Sequence, residues 1–137
     1  MKFWFSGELD HRIGDAYGPV RARVEARLNT LCEGHDYGDA VAKIAIIPMI
    51  LGPEFLSGGP ERRLWKRKEG VAEYRTIIDF ESFRLADDAK RERLLVTNTL
   101  HAVRDLHRKA GERLHGDDLI SDILREFGLP LEEVPDA

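Results

Sequence analysis

The chain has 137 residues, 42% hydrophobic and 34% charged, which suits one compact domain with a single core and leaves too little chain for a second. A net charge of −4 argues against a non-specific nucleic-acid binder, which is ordinarily basic. Cys32 is the one cysteine, so an intrachain disulfide is excluded and a reducing compartment fits best.

In chain order, "KFWFS" predicts a first strand. Glu8 and Asp10 follow at once, which makes the apolar run too short for a secretory segment. No stretch reaches the length of a membrane span, and the expectation is a soluble, cytoplasmic protein. The turn-rich "GELDHRIGDAYG" leads to Asp15, a candidate cap. Tyr17, Val20, Val24, Leu28 and Leu31 then recur at spacings of three and four, with charged residues between them, and predict an amphipathic helix ending near Gly34. Pro19 falls in its first turns, where proline is tolerated. Cys32 lies near the apolar stripe at the C-terminal end, a position that raises a thiol pKa, so it reads as core rather than nucleophile.

"AVAKIAIIPMIL" is apolar almost throughout and predicts a strand buried on both faces. Pro48 removes a ladder donor, so a bulge, an edge position or the strand's end is expected there. "GPEFLSGGPE" is a loop, and "RRLWKRKEGVAEYRTIIDF" divides at Glu69-Gly70 into a hairpin. With those two residues as the turn, Lys68 pairs with Val71, Lys66 with Glu73, Trp65 with Tyr74 and Leu64 with Arg75. One face then carries Trp65, Tyr74, Thr76, Ile78 and Phe80 as core. The other presents Lys66, Lys68, Glu73, Arg75 and Asp79 to solvent.

Asp87 caps a long helix whose stripe is Leu95, Thr99, Ala102, Val103, Leu106 and Ala110. Asp117 or Asp118 caps a last helix carrying Leu119, Ile120, Ile123, Leu124 and Phe127, stopped by Gly128 and Pro130. A loose tail is expected from about 129. The order β-α-β-β-β-α-α predicts an α+β fold: a mostly antiparallel sheet of about four strands with helices packed on one face. Residues 1–137 read as a single domain.

Chemical motifs are sparse. His101 and Asp105 have a usable ligand spacing, but no HExxH or CxxC motif accompanies them, so no metal and no cofactor is expected. Ser6-Gly7-Glu8 is no nucleophile elbow, and Ser57-Gly58-Gly59 lacks the lysine and helix start of a phosphate loop. Glu8 with Asp10, or Asp79 with Glu81, would serve acid–base chemistry only at a cleft that shifts their pKa values. An enzyme would need a concave pocket holding several of Glu8, Asp10, His11, Asp79 and Arg75 with shifted pKa values.

Charge is unevenly spread. Glu61 to Arg75 holds six Lys/Arg against three Asp/Glu, a net of +3, whereas His115 to Ala137 holds one Arg against seven acids, a net of −6. The basic hairpin, 62–75, mixes aromatics with cations as single-strand nucleic-acid sheets do. Burial of Trp65 and Tyr74 under the helices would leave its cations as the wet side of a sheet, so nucleic-acid binding is the alternative reading.

"MKFWFSGELD", the first helix, "WKRKEGVAEYRTIIDFESF" and "LISDILREFGL" together resemble a family of small bacterial immunity proteins over roughly Met1 to Leu129. Such proteins are encoded beside polymorphic or contact-dependent toxins. The resemblance implies a cytoplasmic, non-enzymatic protein that binds and neutralises one cognate toxin domain by occluding its active surface. Two patches are candidates for the contact. Asp117, Asp118, Asp122 and Glu126 would suit a basic toxin surface. Lys66, Lys68 and Arg75 on the hairpin would suit an acidic one. Glu8 and Asp10, behind the first strand, are further candidates.

Overall fold

The computed structural model describes residues 2–9, 11–33, 41–50, 63–68, 70–109 and 117–130. The predicted end of the first helix at Gly34, the "GPEFLSGGPE" loop, residue Glu69 of the hairpin turn, Asp10, Ala110 and the tail from 131 lie outside them. The elements are β1 (Lys2–Phe5), β2 (Glu8–Leu9), a 3-10 turn (His11–Ala16) and α1 (Tyr17–Glu33), followed by β3 (Val41–Ile50), β4 (Arg63–Lys68) and β5 (Gly70–Ile77), then α2 (Phe80–Leu85), α3 (Asp88–Lys109) and α4 (Asp117–Glu126).

The sheet runs in the order β1-β3-β5-β4, with β2 also paired to β3. The fold is α+β, but the expected antiparallel character is wrong. β1, β2 and β5 all run parallel to β3, and β4 alone is antiparallel, at one edge beside β5. The cause is connectivity. The α1 crossover returns the chain to the end where β1 began, so β3 must run parallel to it. β4 then runs back along the outside, and its partner β5 slots between it and β3. The unbroken apolar run of β3 is what a central strand in a parallel sheet requires.

Pro48 sits within that central strand, opposite Thr76 of β5. Neither an edge nor a strand end accommodates it. Ser6 N–H donates to the Ile46 carbonyl, so the polar groups of Ile46, and of Pro48 two residues on, face the β1 side. There the neighbouring strand is interrupted: β1 ends at Phe5 opposite Ile46, and β2 resumes at Glu8 opposite Met49. The missing donor therefore falls where no strand asks for it. Gly7 spans the gap, and a Cβ there would lie 3.3 Å from the Pro48 carbonyl oxygen.

One side of the sheet builds the core. Phe3 and Phe5 of β1, Ile44, Ile46 and Ile50 of β3, and Ala72 and Tyr74 of β5 are buried in a cluster with α1 to α4. α1 contributes Tyr17, Val20, Val24, Leu28 and Cys32, and α4 contributes Leu119, Ile120, Ile123 and Leu124. Val96 and Leu100 of α3 are buried beside the predicted Leu95, Thr99, Ala102 and Val103, because α3 packs against the sheet and the other helices at once. Side chains close the rest. The Asn29 side chain accepts from Phe3 N–H at 2.8 Å and donates to Phe3 C=O at 3.0 Å, and Glu25 accepts from Phe5 N–H at 2.8 Å. The open edge of β1 is thus sealed by helix side chains that stand in for a strand.

The caps follow the sequence. Asp79 accepts from Ser82 N–H at the start of α2, and Asp87 accepts from Lys90 N–H at the start of α3. Gly128 (φ 65°) ends α4 with the paired bonds Gly128 N–H to Arg125 C=O and Leu129 N–H to Leu124 C=O.

Candidate docking surfaces

β strands alternate, so residues between the buried ones in each strand form the sheet's other face. In register this face has ordered rows. Lys2, Lys43 and Val71 form one row; Trp4, Ala45 and Glu73 form the next, in which Ala45 and Glu73 are buried. Ile47, also buried, and Arg75 follow, and then Met49 and Ile77. Trp4 is 45% exposed, and the Lys43 ammonium sits 4.3 Å from its ring centroid. Arg75 is half-buried beside Glu73, at 3.5 Å. The described helices all belong to the core on the opposite side.

The hairpin register differs from the expected one. Lys68 does stand opposite Val71, but a bulge between Lys66 and Lys68 moves the rest by one residue. Trp65 is opposite Glu73 rather than Tyr74, Leu64 is opposite Tyr74, and Lys66 is opposite Ala72. The predicted Lys66–Glu73 pair is out of register, and Glu73 instead meets Arg75 on its own strand. One extra residue in a strand reverses which face each following residue occupies.

The acidic α4 candidates divide. Glu126 is tied to α1: its carboxylate lies 3.4 Å from Arg27 Nε, and its carbonyl accepts from the Arg27 guanidinium at 2.7 Å. The same guanidinium pairs with Glu92 at 2.6 Å and stacks over Phe127 at 4.2 Å, so Arg27 joins α1, α3 and α4. Asp122 lies 3.5 Å from Arg125. Asp117 and Asp118 open α4.

Of the acid–base candidates, Asp10 lies outside the described residues. Asp79 is occupied as a cap; the N–H and hydroxyl of Ser82, its first influences, hold its carboxyl below the usual 3.8. Arg75 lies on the sheet face away from the core cluster, Glu8 is paired in register with Met49, and His11 starts the 3-10 turn. Beside it Arg12 stacks on Phe80 at 4.4 Å. Burial pushes the Cys32 thiol up to about 11 and holds the Tyr17 hydroxyl well above its usual value; that hydroxyl donates to the Ser6 carbonyl at 2.6 Å. Among the described residues no three His, Cys, Asp or Glu side chains gather as a metal would need. No described helix is long and apolar enough to cross a membrane.

Two open grooves lie along α2 and α3. One, of about 520 Å³, runs past Ala89, Arg93, Leu94 and Thr97. The other, of about 500 Å³, lies beside Glu81, Lys90 and Leu85, which is 71% exposed. Glu81 is paired with Arg84 at 2.7 Å, and Asp87, shared by both grooves, is a helix cap. Ser82 also lines the second groove, and its hydroxyl donates to the Asp79 carboxylate at 2.8 Å. Sequence reasoning missed Trp4 as a surface residue. The signal was present in the alternation of "KFWF": with Phe3 and Phe5 on the core side, Lys2 and Trp4 share the other.

Comparison with known families defines the class: the chain is an immunity protein. It belongs to the family described as immunity protein 44, whose model matches residues 1–128. Proteins of this kind neutralise toxins, are in general not enzymes, and have a toxin protein as partner. No curated relative and no solved structure matches the chain.

Proposed function

We propose that this chain binds one cognate bacterial toxin domain and neutralises it by covering the toxin's active surface. The observation that supports this reading is the family match across residues 1–128. The toxin belongs to a polymorphic or contact-dependent system, and the chain acts as one domain in the cytoplasm of the producing cell. Neutralisation of this kind needs no chemistry from the inhibitor. It needs a preformed surface, charge complementarity for fast and selective encounter, and a few large side chains that bury deeply.

The test is rescue. The C-terminal domain of the protein encoded immediately upstream is expressed in a sensitive host, with and without this chain. Growth arrest relieved by this chain, together with a complex that co-purifies, is the expected result. A toxic domain that this chain neither rescues nor binds would overturn the proposal.

A further inference from the structure

We infer that the exposed edge of the sheet's outer face, at Trp4, Lys2 and Lys43, is the surface that docks, and that it takes an acidic surface of the toxin domain with an apolar recess for the indole. This inference rests on the immunity reading above. Three observations carry it.

The first is Trp4 itself. A tryptophan on an edge strand, 45% exposed and on the side away from the core, contributes little to folding where it stands. Tryptophan is the residue most concentrated among side chains that dominate interface energetics. The Lys43 ammonium, 4.3 Å from the ring centroid, holds the indole in one place before any partner arrives. A side chain fixed in advance loses less freedom on binding.

The second is charge. The whole chain carries −4, yet Lys2 and Lys43 stand side by side next to Trp4, while Arg75 further along the face is paired with Glu73. A positive face on a negative molecule orients the molecule as it approaches an acidic partner, because the remaining surface is repelled. The third is the aliphatic margin: Met49 and Ile77 are half-buried on the same face, while Ala45 and Ile47 between them and Trp4 are buried.

The face also has the makings of a single-strand nucleic-acid platform, with an aromatic among cations. A protein partner is favoured because the family's partners are toxin proteins and because the global charge opposes a polyanion.

The experiment uses the full chain and a catalytically inactivated form of the toxin domain found in the rescue assay. Binding is followed by titration and stopped flow for the wild type, Trp4→Ala, Lys43→Glu and Leu85→Ser, each checked by thermal melting. The expected result is a loss of roughly 30-fold or more in affinity for Trp4→Ala. Lys43→Glu slows association by about tenfold, with a weaker dependence on salt. Leu85→Ser, on the helical side, binds as the wild type does. Wild-type affinity in both face variants would overturn the docking face and leave the immunity reading standing. A wild-type chain that neither rescues nor binds would overturn both. An oligouridine 12-mer bound through Trp4, or self-association abolished by Trp4→Ala, with toxin binding indifferent to that change, would replace the toxin as the occupant of the face.

Discussion

The two faces of the sheet use the same residue types for opposite ends. On the helical side, cations are consumed by the fold. Arg27 ties three helices together, and Arg91 donates to the carbonyls of Phe83 and Arg84 at 2.9 Å each, closing the C-terminal end of α2. On the other side, Lys2 and Lys43 flank Trp4 at the β1 edge, where no described helix packs. The difference teaches that charge counts along a sequence do not locate a docking surface. What matters is which charged groups the core has already engaged, and Glu126, an attractive candidate by sequence, is engaged.

Substitutions should separate the two sides, beginning with the core. Leu28→Ala removes a fully buried side chain of α1 and should cost about 3–5 kcal/mol in denaturant unfolding. Any loss of toxin binding by this variant should follow the unfolded fraction alone. Trp4→Ala should do the reverse: a change in unfolding free energy below about 0.5–1 kcal/mol, with the affinity loss already described. Arg27→Ala should destabilise by about 1–2 kcal/mol, a figure reduced for its partial exposure, because it leaves Glu92 and the Glu126 carbonyl without their shared donor. Asn29→Ala should cost about 1 kcal/mol and speed hydrogen exchange at the Phe3 amide, whose acceptor it is.

The smallest effect is a pH dependence. The Asp79 carboxyl is held below its ordinary 3.8 by the Ser82 bonds, so its folded pKa lies below its unfolded one. The stability it adds is present above pH 3.8 and is lost as the pH falls through the folded value. Asp79→Asn should flatten that acid limb of the stability curve and leave the neutral region little changed.

Most of the elements were legible in the sequence, for physical reasons that can be named. The stripe of α1, the Asp87 cap and the Gly128 stop are local signals, each carried by residues within a turn of one another. Strand direction is not local, and there the hairpin's strong turn signal outweighed two clues: the helix between β1 and β3, and the two-sided burial of β3. Both are marks of a parallel pair. The bulge beside Arg67 was equally hidden, since one extra residue leaves no trace in composition yet changes Trp65 from Tyr74's partner to Glu73's. Arg75, singled out in the sequence for its charge, lies on the sheet's outer face beside Glu73. The Lys43–Trp4 contact was not legible, because the two come together only when β1 and β3 lie side by side.

Side-chain footprinting of the chain, alone and bound to its toxin domain, tests the division of labour most directly. Trp4 and Met49 should become strongly protected in the complex, while Leu85 keeps its labelling. Protection of Leu85 with Trp4 unchanged would contradict the account and place the interface on the helical side.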